Sequence, residues 1–219
     1  MPSQIQLTNP VVREVLISLT HAIRLITLPQ AQRTWWEHAS MGAVRAKFSA
    51  LVDAEYLTAR RYLIRPERLS DRPLISWQPG EPVPEFGPVS YLLRKRCRER
   101  VVPTLAYLAT KKAAKLFGGF SGGSKGDGVL RHPLQASHDS AVSACYLGLL
   151  KSNPATARRW VSEEKFELRN RGSKLFDAVI VDDSGAPERV LEVGGEYGVR
   201  RLRTIHKECV RRGLRYELW

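Results

Sequence analysis

Long hydrophobic runs are missing from this chain. No stretch of its 219 residues approaches the ~20 consecutive apolar residues of a membrane-spanning helix, so no membrane partner is expected. Its first residues lack the positive start and apolar centre of a secretory signal, and the expected compartment is the cytoplasm. Cysteine is scarce: Cys97, Cys145 and Cys209 are odd in number and far apart. They supply neither a disulfide framework nor the paired spacing of a zinc site, and are expected as reduced thiols. No internal repeat, Gly-x-Gly-x-x-Gly or P-loop order occurs, so a nucleotide cradle is not expected. Acids are outnumbered, 22 Asp+Glu against 35 Lys+Arg, for a net charge of +13. That excess is high for an enzyme of small metabolites and points to a polyanion, nucleic acid first. The alternative is a solvated basic surface that serves solubility.

What is present suits a globular protein, with 43% hydrophobic residues. The clearest break is the glycine-rich stretch from Gly118 to Gly128, which reads as a linker. It divides the chain into an N-terminal domain, 1–117, the linker, 118–128, and a C-terminal domain, 129–219. In the first, Asn9-Pro10 reads as a helix start, with Val11, Val12, Val15, Leu16 and Leu19 at helical spacing. A second helix is expected over 28–36 and a third over 40–53. The third carries Val44, Phe48, Leu51 and Val52 on one face, with Arg45 and Lys47 turned away. Strands are expected at 56–64, carrying Arg60 and Arg61, and at 74–77. Three helices and a strand hairpin are the order of a winged helix, whose third helix lies in the DNA major groove while the hairpin reaches the backbone. The alternative is a small helical bundle with an unrelated hairpin. Arg94, Lys95, Arg96, Arg98 and Arg100 put five basic residues in seven, a density suited to phosphate contacts or to an exposed helix face.

In the second half a helix is expected over 138–150, turning Ala141, Val142, Cys145, Tyr146 and Leu149 inward. Trp160 to Leu168 reads as a turn entering a strand. Strands at 175–181 and 188–193 form a hairpin around Asp182-Asp183-Ser184-Gly185. A helix from Val199 to Arg212, stopped by Gly213, carries Val199, Leu202, Ile205 and Cys209 on one face and Arg203, Lys207 and Arg211 on the other, a second basic surface expected to contact DNA. His206, on the same helix, reads as an ordinary helix histidine or a phosphate or proton contact. A final strand covers 214–219. The order is helix, three strands, helix, strand.

Asp177 and Glu192 stand at the edges of the two hairpin strands, within apolar runs where an acid needs a partner. Two carboxylates on adjacent strands can hold a hard divalent cation, Mg²⁺ foremost. Such an ion activates water and neutralises charge at a phosphodiester. Glu164 is the candidate third acid, with Asp139 as its rival. A cation near the pair would have to come from Lys174, reaching along the strand, from Lys165 on the preceding strand, from Lys207 on the following helix, or from Arg200 or Arg201, which bind phosphate but are poor bases. The alternative is a pair of strand-end acids in ordinary salt bridges.

These residues carry a resemblance. On Leu175-Phe176-Asp177-Ala178, Leu191-Glu192-Val193, Trp160-Val161-Ser162-Glu163 and His138-Asp139, residues 130–219 resemble the PD-(D/E)XK nuclease superfamily. The whole chain is similar to the replication-relaxation family of plasmid and mobile-element proteins. The resemblance implies an α+β chain: an N-terminal winged helix-turn-helix joined to a C-terminal α/β nuclease-like domain. It further implies double-stranded DNA as partner, and a protein partner in a replication or mobilisation complex. Two positions depart from the pattern: Phe176 stands where the superfamily has proline, and Gly194 where it has lysine. The expectation is therefore a DNA-binding accessory factor without the usual catalytic lysine. The alternatives are a Mg²⁺-dependent endonuclease using Asp177, Glu192 and Glu164, and a transcriptional regulator with a protein partner.

Overall fold

The computed structural model describes residues 7–66, 72–120, 128–130, 132–163, 165 and 176–219. Glu164 and Lys174 lie outside the described residues. The chain is a mixed α+β protein that separates into two compact units, Met1–Ile64 with Val101–Lys151, and Arg65–Arg100 with Ser152–Trp219.

The first unit is started by side-chain caps. Asn9 accepts hydrogen bonds from the Val11 and Val12 amides at 2.9 and 3.3 Å, opening α1 (Pro10–His21), which buries Val15, Leu16 and Leu19. After β1 (Ile26–Thr27), Thr27 and Gln30 form a reciprocal capping box at the head of α2 (Leu28–Trp35). Ser40 caps α3 (Met41–Asp53), whose buried face is Val44, Phe48 and Leu51. Strand β2 (Leu57–Ile64) follows, and the chain then contributes β3 (Ile75–Trp77) and α4 (Phe86–Cys97) to the second unit. It returns as β4 (Val102–Ala109), antiparallel to β2 from Leu57↔Ala109 to Ile64↔Val102, and continues into α5 (Lys111–Phe117). The sheet order is β1-β4-β2. A short 3-10 turn, Pro133–Gln135, leads into α6 (Ala136–Ser152).

The second unit adds α7 (Pro154–Ala157), β5 (Trp160–Ser162), β6 (Ala178–Val181), β7 (Pro187–Glu192), α8 (Val199–Arg212) and β8 (Arg215–Leu218). The strands form one sheet in the order β3-β8-β7-β6-β5. Among the described strands only β7 and β8 run parallel, because α8 carries the chain back between them. The β6–β7 turn is held by Asp182, whose carboxylate accepts from the Ser184 amide, the Ser184 hydroxyl and the Ala186 amide. Trp77, Val190, Tyr216 and Leu218 pack with Leu93 of α4 and with Leu202, Ile205 and Cys209 of α8 to make the core.

Three expectations are corrected. The strand at 74–77 does not complete a hairpin with β2: Ile75 pairs with Leu218 and Trp77 with Tyr216, and the partner of β2 is β4. Pairing with β8 buries Ile75 and Trp77 in the second core, among Leu202, Ile205 and Tyr216. The glycine stretch is not the boundary between units. Phe120 donates its amide to the Thr20 carbonyl at 2.8 Å on one side, and the Thr58 hydroxyl donates to the Gly128 carbonyl on the other. Both flanks thus belong to the first unit, as does α6, and 1–117 and 129–219 are not the two compact bodies. Finally, α6 buries Asp139, Ser140 and Ser143 alongside Ala144, Cys145, Tyr146 and Leu147, while Ala141, Val142 and Leu149 are only half-buried. Its inward polar groups are matched: Ser143 donates to the Leu25 carbonyl at 2.6 Å, and Gln30 donates to the Ser140 carbonyl at 2.9 Å. Among the described residues no helix is long and apolar enough to cross a membrane.

Candidate functional site

Asp177 and Glu192 come together at one end of β6 and β7. The register pair Ala178↔Leu191 places Asp177, one residue outside it, opposite Glu192. Glu192 is 2% exposed and Asp177 half-buried. Asp177 accepts the Val193 amide at 2.6 Å, which ties it to the residue following its partner acid. Glu192 accepts the Tyr197 hydroxyl at 3.0 Å, and Arg201 Nη2 stands 3.9 Å from the same carboxylate oxygen. The Arg201 guanidinium lies 5.4 Å from the centre of the Tyr197 ring. Burial, then the charges of Glu192 and Asp177, push the Tyr197 phenol far above its ordinary range, so the hydroxyl keeps its proton and donates a hydrogen bond to Glu192.

The backbone around Gly194 explains why no lysine follows Glu192. Trp219 donates its amide to the Glu192 carbonyl and accepts the Gly194 amide, at 2.9 and 2.8 Å, extending the parallel ladder. The same backbone lies against α4. A Cβ built on Gly194 would stand 2.7 Å from Leu93 Cδ1 and closer still to Cδ2, and Leu93 is fully buried. Glycine is therefore a packing requirement, and a lysine side chain has no room to start. Tyr197 and Arg201 reach Glu192 from beyond the turn instead. Arg201 is among the cations the sequence places near the site; Tyr197 is not, because the glycines of Gly194-Gly195-Glu196-Tyr197-Gly198 read as a flexible turn.

Among the described residues no three His, Cys, Asp or Glu side chains gather as a metal-holding group. Asp139, the rival third acid, belongs to the first unit and pairs with Arg24 there at 2.9 Å. The donors described at this end of the sheet are two carboxylates engaged by a backbone amide and a phenol. Glu164, the expected third acid, lies outside the described residues.

The basic residues divide between the units. In the first, Arg45 and Lys47 are exposed on α3, opposite Val44, Phe48 and Leu51. Lys47 Nζ lies 5.9 Å from the Trp36 ring centre, and the Phe48 ring packs tilted against Tyr107 of β4, centres 4.6 Å apart. Arg60 and Arg61 are exposed on β2. In the second unit, Arg94, Lys95 and Arg96 occupy the last turn of α4 and Arg98 is its C-cap, where positive charge also offsets the helix dipole. Arg203, Lys207 and Arg211 run along the outer side of α8 and line a groove. Lys207 is six residues beyond Arg201, about 9 Å along the helix axis, so it serves the groove and not Glu192. His206 is a core residue: its Nδ1 lies 3.2 Å from the Tyr216 hydroxyl, the Trp77 ring stands edge-on at 4.8 Å, and burial lowers its pKa. No protein-family model, curated protein or solved structure matches the chain.

Proposed function

We propose that the chain is a non-cleaving DNA-binding protein. In this reading the first unit is a winged helix: α3 enters the major groove of double-stranded DNA, and the β2–β4 ladder is the wing. The α3 surface carries the reading. Arg45 and Lys47 point away from a helix face that is fully committed to the core, and Arg60 and Arg61 project from the adjoining strand, in a protein of net charge +13. The second unit is read as a nuclease-like body. Its three-strand antiparallel run β5-β6-β7, crossover helix α8 and parallel β8 support that reading, as does the pairing of Asp177 with Glu192. Packing of Gly194 on Leu93, with Tyr197 donating to Glu192, favours loss of cleavage. On the resemblance above, the biological setting is replication or mobilisation of a plasmid or other mobile element.

The test is duplex binding followed by fluorescence anisotropy at stepped salt. The logarithm of the binding constant should fall linearly with the logarithm of salt concentration. Arg45→Glu with Lys47→Glu should weaken binding by about tenfold or more, since two phosphate or base contacts become repulsive. Affinity indifferent to salt and to both changes would refute the reading. Supercoiled plasmid incubated with Mg²⁺ or Mn²⁺ should stay intact. The juxtaposed Asp177 and Glu192 keep one rival in play, a metal-dependent endonuclease. Nicking that vanishes in Asp177→Ala and Glu192→Ala would establish that rival.

A further inference from the structure

The groove beside α8 is built unlike a phosphate contact. It has a volume of about 780 Å³ and lies between the Val83–Gly87 segment, which leads into α4, and the outer side of α8. Its walls are largely apolar: Phe86, Val199 and Pro84 line it, and Val83 and Val210 hold branched side chains out to water at 67% and 48% exposure. On its rim stand Arg203, Lys207 and Arg211, one helical turn apart. Arg211 is held by Glu208, with Nη2–Oε1 at 2.7 Å. Arg203 and Lys207, both exposed, make no salt bridge among the described residues. One acid, Glu85, shares the lining.

We infer that this groove binds a short acidic, amphipathic segment of a protein partner. The apolar walls take one or two bulky apolar side chains, and Arg203 and Lys207 take the carboxylates beside them. Each half of the groove excludes a simpler occupant. A DNA backbone would meet the cations but leave Val83 and Val210 uncovered or force them against sugar and phosphate. A purely apolar partner would bury the rim charges without answering them, which costs more than the apolar contact returns. A volume of this size falls within the range of pockets that enclose whole side chains, and a charged rim around an apolar centre is the usual anatomy of a specific protein contact. The inference does not depend on the first unit's binding DNA.

The test uses the full chain and a fluorescein-labelled peptide in which leucine and phenylalanine are flanked by glutamate and aspartate. A control peptide has every acid replaced by lysine, and an unlabelled DNA duplex serves as competitor. The acidic peptide should bind saturably and the control should not. Val210→Asp and the pair Arg203→Glu with Lys207→Glu should each weaken binding by about tenfold. All three positions are exposed, so the fold should be retained, and unchanged circular dichroism and melting temperature would verify it. Failure of the acidic peptide to bind overturns the inference. So does binding that ignores Val210→Asp, which would mean charge alone. Duplex that displaces the peptide and itself loses affinity in the Arg203/Lys207 variant would make the surface a nucleic-acid contact instead.

Discussion

Asp139 in the first unit and Glu192 in the second are withdrawn from water to a similar degree, at 5% and 2% exposure, yet they are answered differently. Asp139 faces a guanidinium directly, with Arg24 Nη1 at 2.9 Å. Glu192 has a neutral phenol at 3.0 Å and the Arg201 cation at 3.9 Å, itself 44% exposed. A buried acid with a close full charge is part of the framework, because either partner alone would be left in a low-dielectric interior. A buried acid held by a neutral donor, with its cation at arm's length and half in water, depends less on being ionised. The contrast separates an acid locked to a close cation from one held first by a neutral donor.

The largest expected effect breaks the first of these. Asp139→Ala should cost about 2–4 kcal/mol by urea unfolding, less than a fully buried pair because Arg24 is a quarter exposed and can recover some water. Glu192→Gln keeps the size of the side chain and an acceptor for Tyr197, and should cost under about 1 kcal/mol. Equal costs for the two would erase the distinction. An intermediate effect concerns the backbone beside Glu192. Gly194→Ala drives a methyl group into Leu93 and should cost about 1–3 kcal/mol, the range for overpacking a filled core. Combining it with Leu93→Ala should cost less than the sum of the two single changes, since the second removes the atoms that the first strikes. Strict additivity would mean that something other than Leu93 keeps a lysine out of this position.

The same contrast marks what sequence could and could not disclose. Local chemistry was legible. Asn9-Pro10 and Ser40 start helices, Asp182–Gly185 turns a hairpin, and Gly213, at φ 64°, stops α8, because each of these acts within a few residues. Asp177 and Glu192 were legible as neighbours for the same reason, being the two ends of one hairpin. Long-range choices were not. Three residues at Ile75–Trp77 alternate equally well beside β2 or β8, and only the second core, most of it from Phe176 onward, decides between them. The inward face of α6 was misjudged because it is partly polar: Asp139, Ser140 and Ser143 are buried with partners that no periodicity of apolar residues reveals. Tyr197 was hidden by its glycine neighbours, which suggest a slack connection where the structure has a hydrogen-bonded turn onto Glu192.

The smallest expected effect, and the most direct readout of the charge on Glu192, is the ionisation of Tyr197. Its pKa in the folded protein is raised above the ordinary 10, first by burial and then by the negative charges of Glu192 and Asp177. A raised folded-state pKa for an acid means that the folded protein holds the proton more tightly than the unfolded chain does. The resulting contribution to stability is fully present below pH 10 and declines as the pH rises beyond it. Other buried tyrosines, Tyr216 among them, are shifted in the same direction, so the Tyr197 share must be taken as a difference. The absorbance of tyrosinate, recorded for the protein and for Tyr197→Phe during alkaline titration, isolates the one curve. Glu192→Gln should move that curve partway back toward the ordinary value, because it removes a charge but not the burial. A curve that stays in place would mean that Glu192 already carries a proton in the folded state. The two buried acids would then differ in protonation as well as in partner.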